Sequence, residues 1–304
     1  FREAFSIYTS NWLLWFGLVF VGFVVYSPDG LVGIWATLRR RWWPAPEKAA
    51  AMSQRNIVES LPLPAFLRLG ARAGTVLEVQ AVSKHFGGIQ AVSKTSLNIQ
   101  AGEVHALIGP NGAGKTTLFN LASGLFPPDE GSVRLEGREI QNLPIHSICM
   151  QGLARSFQIT NLFRGLSVYE NLRLSFQALH PGRYNAWRDV DSYAEVNAET
   201  AELIRFLGLE GVEAIEAGEL AYGGQRLVDL GIAMGAKPRV LLLDEPTEGI
   251  MPILVNTLRK EIKAINQAGV SILLVEQNVP TALAVCNRVY FMEKGRISFE
   301  CSAS

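Results

Sequence analysis

Nine residues constrain this chain more than any others: Gly109-Pro110-Asn111-Gly112-Ala113-Gly114-Lys115-Thr116-Thr117. The short run from Glu103 to Ile108 leads straight into them and Leu118 to Leu125 continues as a helix, so the local order is strand, glycine-rich loop, helix. The spacing is GxxxxGK[ST]. Glycines let backbone N–H groups close around phosphate oxygens, and the N-terminus of the following helix adds partial positive charge. Lys115 then reaches the β- and γ-phosphates, and Thr116 offers its hydroxyl to Mg2+. A merely tight strand-to-helix turn would not require the Lys-Thr pair in register. The loop therefore predicts an α/β domain that binds a nucleotide.

A second element has to supply the remaining metal and water chemistry. Val240 to Leu243 reads as a buried parallel strand, with Asp244 and Glu245 at its C-terminal edge, where open α/β sheets place ligands. Asp244 is expected in the Mg2+ shell and Glu245 beside the attacking water; the alternative is that both cap the helix starting near Pro252. Ahead of the loop, Val76 to Val82 and Ala91 to Ile99 alternate apolar and polar residues around Gly87-Gly88, which predicts an antiparallel β element.

Composition matters mainly for the N-terminal end. Hydrophobic residues make up 48% of the chain. Charged residues make up 18%, against roughly 25% in an average soluble domain, which excludes disorder. Much of the apolar excess lies in Trp12 to Tyr26, an uncharged run stopped by Ser27-Pro28-Asp29-Gly30. It reads as a transmembrane helix if it starts near Ile7; a core helix and a signal peptide are the alternatives. Arg39, Arg40 and Arg41 follow beside Trp42 and Trp43, an arrangement that puts everything downstream on the cytoplasmic side. From Pro44 to Gly74 no period is sustained, as in a linker with room for a short helix. The chain opens on Phe1 and reads as a piece of a longer polypeptide. With 28 Lys+Arg against 28 Asp+Glu the net charge is zero, and no nucleic-acid partner is expected. Cys149, Cys286 and Cys301 are too scattered for a disulfide framework or a zinc cluster.

Between the two loops stands Leu220-Ala221-Tyr222-Gly223-Gly224-Gln225-Arg226, followed by an apolar helix through Ala236. The series GPNGAGKTT, SFQ, AYGGQR, LLLDEP and VEQN, in this order, resembles the nucleotide-binding domain of an ABC transporter from about Thr75 to Ser304. KHFGGIQAV and ARSFQITNLFRGLSVYENL resemble one of the two ATPase subunits of branched-chain amino acid uptake systems. Glu248-Gly249-Ile250-Met251-Pro252 and LLVEQNVPTALAVCNRVYFMEKG resemble the other. The N-terminal apolar segment with its Ser-Pro-Asp-Gly-Leu-Val-Gly sequel is similar to the last helix of the matching permease.

The resemblance implies an α/β P-loop NTPase fold, the ABC-type nucleotide-binding domain, with an antiparallel β element and a helical subdomain, preceded by a single transmembrane helix. The implied organisation is a permease C-terminal helix in 1–38, a linker in 39–74 and the nucleotide-binding domain in 75–304, with the helical subdomain at about 163–236. It implies ATP and Mg2+ as cofactors, with Phe86 stacking on adenine and Gln158 touching Mg2+ or water and contacting the permease. Ala221, Tyr222, Gly223, Gly224 and Gln225 match the stretch that caps the γ-phosphate of ATP held by an opposing subunit. Gln277 stands where most members have histidine, and Ala221 where most have serine. Gln277 can donate a hydrogen bond but cannot shuttle a proton near pH 7. The implied partners are membrane permease subunits, a second ABC ATPase subunit, identical or distinct, and an extracytoplasmic substrate-binding protein at the cell inner membrane. The implied function is ATP hydrolysis, with Glu245, Gln277 and Gln158 as the catalytic set, coupled to uptake of branched-chain or other hydrophobic amino acids. The alternative is a regulatory half that hydrolyses little.

Overall fold

The computed structural model describes residues 63–70, 73–156, 161–185, 187, 189–250 and 252–302, together with positions 17, 18, 20 and 21. The chain divides into two units, Phe1–Ala50 and Ala51–Ser304. In the first, Gly17, Leu18, Phe20 and Val21 are helical and exposed. Most of the proposed membrane helix lies outside the described residues, and among the described residues no helix is long and apolar enough to cross a membrane.

In the second unit the alternating segment folds as expected, into β1 (Thr75–Phe86) antiparallel to β2 (Ile89–Gln100). Both strands run further than the alternation indicates. Ala81 adopts φ 46° where the register shifts, and the strand resumes beyond that irregularity. After β3 (Val104–Ile108) comes α1 (Lys115–Ala122), and then β4 (Glu130–Leu135) and β5 (Arg138–Glu139) complete a four-stranded sheet ordered β2-β1-β4-β5. Helix α1 begins earlier than the apolar run suggests, with Lys115 as its first residue, and is over by Ser123 and Gly124.

The second sheet has six strands. It is built from β6 (Leu153–Arg155), β7 (Val240–Asp244), β8 (Ser271–Val275), β9 (Arg288–Glu293) and β10 (Arg296–Ser302) around β3, in the order β10-β9-β3-β8-β7-β6. All its neighbours pair in parallel except β10 on β9. Strands β3, β7 and β8 are buried at every position, which explains their predominantly apolar sequences, interrupted only by His105 within β3, Asp244 at the end of β7 and Ser271 at the start of β8. Because β8 lies between β3 and β7, the residues following all three emerge along one edge.

Helix α2 (Ile145–Met150) precedes β6, and α3 (Val168–Gln177), α4 (Ala194–Phe206) and α5 (Tyr222–Gly235) form the helical subdomain. Leu172, Phe176, Leu203, Leu207, Leu230 and Met234 meet in its core. Gly231 permits this packing, since a Cβ there would overlap the ends of Leu172 and Leu207. Residues 63–70, within the stretch read as linker, also dock: Leu67 is buried, Phe66 meets Phe176 edge-on at 4.9 Å, and Leu69 N–H donates to the Ala268 carbonyl at 2.8 Å. Finally, α6 (Pro252–Gln267) and α7 (Val279–Leu283) flank β8 in sequence.

Candidate nucleotide-binding site

The glycine-rich loop leaves β3 at Gly109 and closes onto α1. Ala113 N–H donates back to the Pro110 carbonyl at 3.2 Å, whereas the N–H groups of Asn111, Gly112 and Gly114 carry no backbone hydrogen bond among the described residues. These are the donors a phosphate would need. Glycine is required by crowding as well as by conformation: a Cβ on Gly109 would run into the Met292 carbonyl, and Gly114, at φ 99°, backs onto the Ala91 carbonyl. The Lys115 ammonium lies in the loop, donating to the carbonyls of Gly109 at 2.7 Å and Pro110 at 3.0 Å. Thr116 and Thr117 follow in the first helical turn, where backbone N–H groups lack intrahelical partners.

Asp244 closes β7 and is 3% exposed. Burial raises its carboxyl above the usual range, and the nearby Arg155 guanidinium, 3.6 Å away, pulls it back. Arg155 is itself held from α1: it donates to Asn120 Oδ1 at 2.7 Å and Ser123 Oγ at 3.0 Å, and lies 4.6 Å from the Phe119 ring centroid. It thereby ties the helix after the loop to the carboxylate beside it. Sequence reasoning assigned Arg155 no role, because nothing local marks its pairing with Asp244; the contact exists because β6 lies beside β7.

Glu245 sits one residue beyond the strand in the left-handed region, at φ 44°, a conformation that costs energy in any residue with a Cβ. Its N–H donates to the Val275 carbonyl at 2.9 Å, and its carboxylate accepts from Gln277 Nε2 at 2.8 Å. Asp244 is bound into the sheet and Glu245 into the turn facing β8. Glu276 lies between these contacts, almost fully buried; burial raises its carboxyl while hydrogen bonds from Thr247 lower it.

Phe86 ends β1, half-exposed, edge-on to Phe126 at 5.7 Å. Ala221 is the N-cap of α5 and contributes no side-chain hydrogen bond there. Tyr222 stays partly exposed, Gly223 and Gly224 are buried in the first turn, and Gln225 donates to the Leu220 carbonyl at 2.9 Å, bracing the helix start. This stretch belongs to the helical subdomain, with α5 packed on α3 and α4, and the Tyr222 ring lies against Gly249, four residues beyond Glu245. Gln158 lies outside the described residues.

Thr116 and Asp244 provide the hard oxygen donors that suit Mg2+. Among the described residues no cluster of three His, Cys, Asp or Glu side chains would hold a metal unaided. That donor set fits magnesium bound through few protein ligands together with phosphate oxygens.

A family model described as ABC transporter matches residues 92–248. A high-affinity branched-chain amino acid transport ATP-binding protein from Pseudomonas aeruginosa is 34% identical, over 72% of this chain and 89% of the relative. The lipopolysaccharide export system ATP-binding protein of Escherichia coli is also 34% identical, over 73% of this chain and 88% of its own length. Among solved structures, an ATP-binding cassette of an ABC transporter in its ADP conformation superposes with a TM-score of 0.67 at 28% identity, covering 75% of this chain and 91% of the other. Motif order, sheet topology and these relationships agree: the chain belongs to the ABC transporter family, as an ATP-binding transport ATPase.

Proposed function

We propose that this chain hydrolyses ATP to drive an importer of branched-chain or other hydrophobic amino acids. The observation that carries the reading is the convergence of the Lys115 loop, Asp244 and Glu245 at the ends of β3 and β7, with Gln277 at 2.8 Å from the Glu245 carboxylate. Lys115 and the loop N–H groups bind the phosphates, and Phe86 offers its half-exposed face to the adenine. Thr116, Asp244 and Gln158 are the residues that would hold Mg2+, which when bound neutralises charge on the phosphates. Glu245 polarises the attacking water, and Gln277 keeps its carboxylate oriented.

The amino acid substrate rests on the Pseudomonas relative and on the subunit-like stretches KHFGGIQAV and LLVEQNVPTALAVCNRVYFMEKG. The lipopolysaccharide relative, equally similar, marks transport as the firmer part of the reading. Two such domains face each other, and the segment from Ala221 to Gln225 on one meets the nucleotide on the other. Partners are permease subunits, a second ABC ATPase and an extracytoplasmic substrate-binding protein. The 1–38 segment, as a permease helix, anchors the domain to the cytoplasmic side of the inner membrane, and 39–74 links it to the domain at 75–304.

The test is phosphate release from the reconstituted transporter. Glu245→Gln is expected to lower kcat by roughly 100-fold or more. A second reading, a regulatory half of an asymmetric transporter with little hydrolysis of its own, is favoured by Gln277, which cannot shuttle a proton near pH 7, together with the missing hydroxyl at Ala221. An unchanged rate in Glu245→Gln would select it.

A further inference from the structure

Three consecutive residues at the end of β8 hold the turn that follows β7. Val275 accepts the Glu245 N–H through its carbonyl, and Gln277 donates to the Glu245 carboxylate. Between them, Glu276 reaches two residues past Glu245. Its Oε1 accepts from Thr247 Oγ1 at 2.6 Å and from the Thr247 N–H at 3.2 Å. Glu276 itself is 2% exposed.

A carboxylate this buried is tolerated only with donors arranged around it. Here two of them come from the turn itself, within which Glu248 N–H donates to the Glu245 carbonyl at 3.1 Å. That turn begins with Glu245 at φ 44°. Such backbone persists only where its surroundings impose it, and relaxation to negative φ would swing the Glu245 side chain away from Gln277.

We propose that Glu276 is a positioning residue for Glu245: by gripping Thr247 it locks the turn in the conformation that presents the Glu245 carboxylate. The proposal rests on the reading of Glu245 as the group that polarises water. Neither Glu276 nor Thr247 need touch the nucleotide.

The experiment uses the full chain. Hydrogen exchange is followed at the Thr247 amide without nucleotide, and steady-state ATP turnover is measured alongside. Glu276→Ala is expected to speed exchange at Thr247 at least tenfold while the amides of Leu107 and Leu274 keep their protection. The same variant is expected to lose at least tenfold in kcat with KM for ATP changed less than twofold. Thr247→Val should repeat the loss in kcat, and Thr247→Ser, which restores the hydroxyl, should recover it. If Glu276→Ala fails to fold, Glu276→Gln, which keeps an acceptor oxygen, and the Thr247 pair decide. Unchanged exchange at Thr247 would overturn the proposal, as would faster exchange with kcat intact. Exchange behaving as expected in a chain whose wild type turns over no ATP would leave the grip standing and refute the hydrolytic reading instead.

Discussion

Glu261 illustrates how much a single buried group governs. It lies in α6, Oε2 has no hydrogen-bond partner among the described residues, and burial alone pushes its carboxyl up to about 8. The unfolded chain, with an ordinary value near 4.5, gives up this proton first. Its contribution is therefore fully present below pH 4.5 and declines as pH rises towards 8, where the folded chain must ionise as well. Glu261→Gln, neutral at every pH, is expected to flatten that decline and to be more stable at pH 8 by roughly a few kcal/mol; urea denaturation at several pH values measures both. A wild-type-like pH slope in the variant would show that Glu261 ionises freely in the fold. The residue scale is also where sequence reading reached furthest and fell shortest. The places of Lys115 at a helix start and of Asp244 and Glu245 at a strand end were legible because local spacing fixes them. Glu276 and Thr247, 29 residues apart, were not, because their bond exists only once β7 and β8 lie side by side.

Elements were legible where period and caps agreed. In α3 the apolar spacing from Val168 is preceded by Ser167, whose hydroxyl accepts the Glu170 N–H at 3.1 Å. Asn171, buried in the same helix, accepts the Phe163 N–H and donates to the carbonyls of Phe163, Leu166 and Ser167, so cap and preceding loop form one unit. Ser167→Ala is expected to cost about 1 kcal/mol, seen as a lower denaturation midpoint at unchanged slope. No shift in the midpoint would mean that Asn171 alone secures the helix start. Ends without such signals were misjudged: α1 starts at Lys115 because Gly114, rather than a polar cap, turns the chain, and β1 runs through Ala81 because its irregularity leaves no mark in the alternation. The docking of Leu67 and Phe66 was likewise hidden, since a three-residue turn has no period to read.

At the scale of the whole molecule, two sheets and three helices serve one juxtaposition. The six-stranded sheet, with β8 between β3 and β7, brings loop and carboxylates to a common edge, while α5 carries Ala221 to Gln225 on the helical subdomain. The proposed function requires first of all that the loop from Gly109 to Thr117 bind a nucleotide through Lys115. Equilibrium titration of the full chain with ATP, wild type against Lys115→Ala, tests it most directly. Loss of the charge-assisted bonds from the ammonium is expected to weaken binding roughly 10- to 100-fold. Undiminished affinity in the variant would contradict the assignment of the site.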